Sequence, residues 1–317
     1  MRGRSEGLRD GPEMAELAGS ADPGEVSSTP STRSAPTGGA LPRLEGRTVV
    51  ISGASSGIGA AAARRFAAAG ATVVPLGRDP QRTGALAAEL GVEPVLADFT
   101  RLDDVRRAAS EVLDRCEHID VLANNAGGTF GQRTTTVDGH EKTFQVNHLA
   151  TFLLTALLRE RIEATPGARV ITTSSRANAF GRVDLDDLDS TAGAYRSFKV
   201  YGTTKLENIL FTRELSRRLG GTATASCFHP GVVGTAFGAD SPLFRLLYSP
   251  PLSRVFTITA EEGAAPLLAL ATRSDPETVD GAYLDRFAPG RPNRQADDVA
   301  LARGLWERSA AMVGVPA

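Results

Sequence analysis

Residues 47–60 read RTVVISGASSGIGA. The opening six are a β-branched run, the composition of a strand buried on both faces of a parallel sheet. Glycines 53, 57 and 59 follow at once, and Ile58, Ala62, Phe66 and Ala69 then recur at helical spacing as far as Gly70. A strand, a glycine turn and a helix in that order aim free N–H groups and the positive end of the helix dipole at the turn, an arrangement that receives phosphate. The spacing is G-x-x-x-G-x-G, not G-x-G-x-x-G, and taken alone it is also what a generic strand-to-helix turn would show.

Outward from this stretch the alternation repeats. ATVVPLG (71–77), PVLAD (94–98), IDVLANNAG (119–127), ARVITTSS (168–175) and TATASCFHPG (222–231) read as further strands. Between them, helices are expected near 80–90, along Leu102, Val105, Ala109 and Val112, from 141 to 161, and over 198–219. Strands and helices alternating at this pace predict an α/β fold: a single Rossmann-type domain over 44–317, with a doubly wound parallel sheet and helices on both faces. Residues 1–43 are rich in Gly, Ser, Pro, Thr and Glu and nearly lack β-branched and aromatic apolar residues. They cannot bury enough surface to offset their ordering entropy and are expected to be disordered.

Composition narrows the function. With 35 basic against 37 acidic residues the net charge is −2, so nothing calls for nucleic acid or an anionic membrane. Two cysteines, Cys116 and Cys227, make no disulfide framework and no CxxC, which fits a reducing cytoplasm. No apolar run is long enough to span a bilayer, and the polar start MRGRSEGLRD has no signal-peptide core, so no membrane anchor is expected. His118, His140, His148 and His229 show no metal spacing, and His229 reads as structural. The absence of G-x-S-x-G argues against an α/β-hydrolase.

The strand ends carry the chemistry. Arg78, at the tip of the second strand, suits a ribose 2′-phosphate, whereas an acidic residue there would take the 2′-hydroxyl. Asp79 follows it directly, yet the arginine favours NADP(H) over NAD(H). Asp98, beside Phe99 at the third strand's end, can accept from an adenine amino group or cap the next helix. Tyr201-Gly-Thr-Thr-Lys205 sets a phenol and an ammonium four residues apart, on one helix face. The ammonium lowers the phenol's pKa, so the pair can exchange a proton with a carbonyl or alcohol oxygen while hydride moves to or from nicotinamide. Tyr195 and Lys199 repeat the spacing, but Tyr195 falls in what reads as loop, so Tyr201 is preferred.

The glycine pattern at 53–59, Asn124-Asn125-Ala126-Gly127, Asn147 in FQVNHLATF, Ser175, Tyr201/Lys205 and Pro230-Gly231 followed by Thr235 stand in one order. In that order the chain resembles the short-chain dehydrogenases/reductases. VDLDDL (183–188), the stretch 201–219, HPGVVGT (229–235), AEEGA (260–264) and VDGAYLDR (279–286) resemble the retinol dehydrogenase-like branch. The resemblance implies that Tyr201 is the acid/base, that Lys205 lowers its pKa and holds the nicotinamide ribose, and that Ser175 polarises the substrate carbonyl, with Ser174 the alternative. Asn147 would hold a water linking Lys205 to solvent, or merely kink its helix. Gly53, Ser55, Ser56, Gly57, Ile58 and Gly59 would cradle the pyrophosphate, and Arg78, Asp98 and Phe99 would meet the adenosine. Asn124, Ala126 and Gly127 would line the ribose, while Pro230, Gly231, Val233 and Thr235 would wrap the nicotinamide. A homodimer or homotetramer is implied. Ser52 stands where the family usually has Thr, keeping a hydroxyl for the turn's internal hydrogen bonds.

Residues 236–258, with Phe237, Leu243, Phe244 and Tyr248 among them, read as an apolar lid over a small hydrophobic carbonyl or alcohol substrate, or as helices packing on the core or a partner. Two other functions remain open: a non-catalytic NADP(H)-binding regulator on the same fold, and a nucleotide-sugar epimerase or dehydratase, for which the C-terminal part is short.

Overall fold

The computed structural model describes residues 41–232 and 258–317. Most of the extension read at 1–43, nearly all of the segment read as a lid, and Val233 and Thr235 lie outside these residues. Leu41, expected within the disordered extension, instead packs against the core, so the folded chain begins earlier than residue 44.

Six strands run parallel: β1 (Thr48–Ser52), β2 (Thr72–Gly77), β3 (Val95–Leu96), β4 (Val121–Asn124), β5 (Arg169–Thr173) and β6 (Thr224–His229). They are joined by β7 (Tyr283–Asp285), parallel to β6, and β8 (Ala288–Pro289), antiparallel to β7. The order is β3-β2-β1-β4-β5-β6-β7-β8. The last two strands add to the six read from the sequence, being too short to show a period.

Alternate residues of each strand face opposite layers. Val49 and Ile51 pack under α1 (Gly57–Ala68) and α7 (Ala260–Thr272), with Phe66 fully buried between them. Val50 and Leu122 pack under α3 (Leu102–Arg115), α5 (Ala150–Glu163), α6 (Ser197–Leu219) and α8 (Val299–Val313). Covering both faces is why these strands carry near-continuous apolar runs. Helix α2 (Pro80–Leu90) begins where Asp79 accepts from the Gln81 and Arg82 N–H groups, each at 3.0 Å, and it stops at Gly91.

The helix expected over 141–161 is interrupted. A single turn, α4 (Lys142–Phe144), leads into a wider π turn at Gln145–Leu149 before α5. Asn147 holds that turn open. Its Oδ1 accepts from the Gly128 N–H at 2.7 Å, and its Nδ2 donates to the Gly128 carbonyl at 2.9 Å and the Thr204 hydroxyl at 3.0 Å. A π turn inside a helix re-aims one residue, and here that residue reaches the loop beyond β4.

Candidate active site

Strand order reverses between β1 and β4, and the crevice that this opens at the strands' C-terminal ends is where such sheets bind ligands. A cavity of about 720 Å³ runs along it. Gly53, Ser55, Ser56, Gly57 and Ile58 line one side. Gly53 sits at φ +69°, and a Cβ there would come within 2.9 Å of the Ala126 Cα. Gly59 does not line the cavity; a Cβ on it would lie 2.3 Å from the Gly53 carbonyl oxygen, so its role is to let α1 close onto the turn. Ser56 caps α1 in an extended conformation without a side-chain hydrogen bond to it. This cradle and the helix end facing it fit a dinucleotide pyrophosphate.

Ser52 bonds outside its own turn. Its hydroxyl accepts from the Asn125 and Ala126 N–H groups at 3.0 and 3.1 Å, and Asn125 returns a bond from Nδ2 to the Ser52 carbonyl at 3.1 Å. These bonds lock the exits of β1 and β4 together. They put Asn125, Ala126 and Gly127 on the cavity wall, whereas Asn124 is turned away. It is 2% exposed and donates to Thr155 on α5 at 2.9 Å. The expected ribose contact of Asn124 therefore has no geometry here, and the neighbouring Asn125 occupies that wall.

At the other end the lining includes Arg78, Asp79, Arg82, Asp98 and Phe99. Asp79 is committed to capping α2 and lies 3.6 Å from Arg82. Arg78 is exposed. Arg82, which sequence reading passes over, joins it; the signal was a second arginine four residues on, in the first turn of α2. Asp98 is not a helix cap, since α3 starts after Arg101; it accepts from the Thr100 N–H at 3.0 Å instead.

Helix α6 delivers the remaining chemistry. Tyr201 and Lys205 are 6% and 2% exposed, and both line the cavity. The Lys205 Nζ donates to the Thr173 carbonyl at 3.0 Å and lies 5.6 Å from the centre of the Tyr201 ring. Burial pushes its ammonium down to about 8. Ser174 and Ser175 both reach the cavity, but the Ser174 hydroxyl is spent on the Lys205 carbonyl at 2.8 Å. The Ser175 oxygen accepts from the Ala177 N–H at 3.2 Å and keeps its own proton for another acceptor. Asn147 is fully buried behind Gly127 and does not itself line the cavity; a Cβ on Gly127 would meet the Asn147 Oδ1 at 3.0 Å and the Lys205 Nζ at 3.4 Å.

The second Tyr/Lys pair lies apart. Tyr195 precedes α6, donates to Glu141 at 3.0 Å, and has its phenol pushed up to about 12 by burial; Lys199 is exposed. Pro230 and Gly231 line the cavity, and so does His229, which reads as structural in the sequence. Phe130, Phe180 and Phe198 also line it, the last two with ring centres 5.5 Å apart. Among the described residues no cluster of His, Cys, Asp or Glu is placed to hold a metal, and no helix is long and apolar enough to cross a membrane.

Fold and crevice together define a dinucleotide-binding α/β protein whose catalytic-type side chains sit at one end of the crevice. Residues 47–186 match the family model for short chain dehydrogenase. The chain is 44% identical over 277 residues, covering 86% of it and 94% of the relative, to the "Putative daunorubicin C-13 ketoreductase DnrU" of Streptomyces sp. (strain C5). It is 35% identical over 296 residues to retinol dehydrogenase 13 of Homo sapiens, covering 89% of each. A crystal structure of an uncharacterized protein from Mycobacterium paratuberculosis superposes with a TM-score of 0.71 at 34% identity, covering 87% of this chain and 96% of that one. The chain belongs to the short-chain dehydrogenase/reductase family, in its retinol dehydrogenase-like branch. It is an NAD(P)-dependent oxidoreductase acting on CH–OH and C=O groups.

Proposed function

We propose that this protein interconverts a hydrophobic ketone or aldehyde and its alcohol with NADP(H), Tyr201 serving as the acid/base. The observation that carries the reading is that Ser175, Tyr201 and Lys205 line the same crevice as the aromatic side chains of Phe130, Phe180 and Phe198. NADPH supplies the hydride when bound. Ser175 hydrogen-bonds the substrate oxygen through its hydroxyl and keeps its proton, and Tyr201 delivers the single proton that the developing alkoxide takes up. Lys205, buried beside the ring, favours the phenolate left behind and binds the nicotinamide ribose. Asn147, whose amide is engaged by Gly128 and Thr204, braces the Gly127–Gly128 loop beside the Lys205 ammonium.

NADPH is preferred because Arg78 and Arg82 flank the adenosine end while Asp79, the carboxylate next to Arg78 in the chain, is engaged as a helix cap. The aromatic side chains lining the crevice favour an aromatic carbonyl compound, and the Streptomyces relative is named a ketoreductase. The test follows NADPH oxidation against aromatic ketones, aliphatic ketones and retinoid aldehydes, with Tyr201→Phe alongside. Turnover should fall by about 10²–10⁴-fold in the variant while NADPH binding persists. Normal turnover in Tyr201→Phe would overturn the assignment.

A further inference from the structure

The mechanism above leaves the imidazole of His229 unused. His229 closes β6, lines the cavity and is 5% exposed. Its Nδ1 is buried without a hydrogen-bond partner. Such groups are rare in folded proteins, because each forfeits its hydration with nothing in return. The backbone that carries the ring is fixed. Its backbone carbonyl accepts from the Arg286 N–H at 2.9 Å, and β6 and β7 pair in register at His229 and Asp285. Asp285 is itself fixed by Arg176 at 2.7 Å, while its Oδ1 is a second buried atom lacking a partner. Burial pushes the His229 imidazole down to about 4, against the opposing pull of Asp285, so at neutral pH the ring is uncharged. A neutral imidazole offers one N–H donor and one acceptor nitrogen, and can serve a hydroxyl or a carbonyl.

The position matters as much as the chemistry. The Ser174 N–H donates to the Phe228 carbonyl at 2.8 Å, which continues the pairing of Thr173 with Phe228 and sets His229 opposite Ser174, roughly 5 Å away in the hydrogen-bonding direction and one residue before Ser175. Resting on the reductase reading given above, we propose that His229 is a specificity-determining residue that hydrogen-bonds a second oxygen of the substrate. The preferred substrates are then aromatic ketones with a hydroxyl or second carbonyl on a carbon close to the reacting one. Ser175 and Tyr201 hold the reacting oxygen, and His229 holds the other.

The test compares kcat/KM for α-hydroxyacetophenone and for acetophenone in the wild type, His229→Ala and His229→Gln, with NADPH binding measured in each. Taking the ratio of the two substrates cancels their intrinsic reactivity and any general loss of folded enzyme. The ratio should fall about tenfold in His229→Ala, mainly through KM, and recover in part in His229→Gln, whose amide restores a hydrogen-bonding group. An unchanged ratio in His229→Ala, with both ketones still reduced, would sink the role of His229 and leave the reductase reading standing. If the wild type binds NADPH but reduces neither ketone, the aromatic hydroxy-ketone substrate class is overturned, while the family assignment is untouched.

Discussion

His148 lies next to Asn147 within the π turn, so its protonation tests whether acid loosens the scaffold behind the site. It is 1% exposed, stacks on Phe144 at 5.6 Å, and pairs its Nε2 with the Ser309 hydroxyl at 2.9 Å. Burial pushes its imidazole from 6.5 down to about 4. For a histidine whose folded pKa is depressed, the unfolded chain binds the extra proton first. Stability is therefore full above the unfolded value and is lost as pH falls from about 6.5 toward about 4. With those two values, moving from about pH 7 to about pH 5 costs about 2 kcal/mol, a large share of a typical stability of about 5–15 kcal/mol. His229 shifts the same way, whereas Glu207, fully buried and raised well above its ordinary range, works in the opposite direction. The wild-type pH dependence is a sum of these, and the discriminating quantity is the difference from His148→Gln. Urea unfolding at the two pH values, followed by tryptophan fluorescence and circular dichroism, should show the variant losing about 2 kcal/mol less than the wild type on acidification. Parallel losses in the two proteins would refute the buried, neutral state of His148.

Further outcomes follow from the site. Arg78→Ala should weaken NADPH binding by about tenfold and leave NADH nearly unchanged; titration by fluorescence reads this, and equal effects on both cofactors would sink the NADPH preference. Tyr195→Phe removes the bond to Glu141 and should cost about 1 kcal/mol in denaturant unfolding with turnover retained, the reverse of Tyr201→Phe; loss of turnover would return Tyr195 to candidacy. The Lys205 ammonium is present below about 8 and lost above it, so the rate of ketone reduction should decline as pH rises through that value; a rate that climbs across the same range would contradict its role. Gly59→Ala sets a methyl 2.3 Å from the Gly53 carbonyl and should cost about 1–3 kcal/mol and displace the turn, read as a lower Tm and weaker NADPH binding; an unchanged Tm would show the contact to be soft.

Much of the site was legible because its signals are local. The glycines that open the turn, and a tyrosine and lysine one helical turn apart, announce themselves by spacing within a few residues. The errors came where residue type was right and direction was not. Asn124 and Asn125 are the same amino acid in adjacent positions of a strand exit, and only the pleat decides that the first points to α5 and the second to the crevice. Asn147 was found, but the π turn around it was not, because that turn is held by Gly128, nineteen residues away. Arg82 and His229 look unremarkable in sequence and enter the cavity through the elements that carry them.

By itself the sequence determined the alternation of strands and helices, the glycine turn, the helical face shared by Tyr201 and Lys205, and hence the family. Each of these rests on periodicity and local backbone preference, which neighbouring residues settle among themselves. Only the tertiary structure decided which of two identical Tyr/Lys spacings faces the crevice, which of two serines keeps its hydroxyl proton available, and that Asp79 is committed to a helix cap. Those choices depend on hydrogen-bond partners brought from distant parts of the chain, such as Lys205 to Ser174 and Glu141 to Tyr195, and no local pattern encodes them.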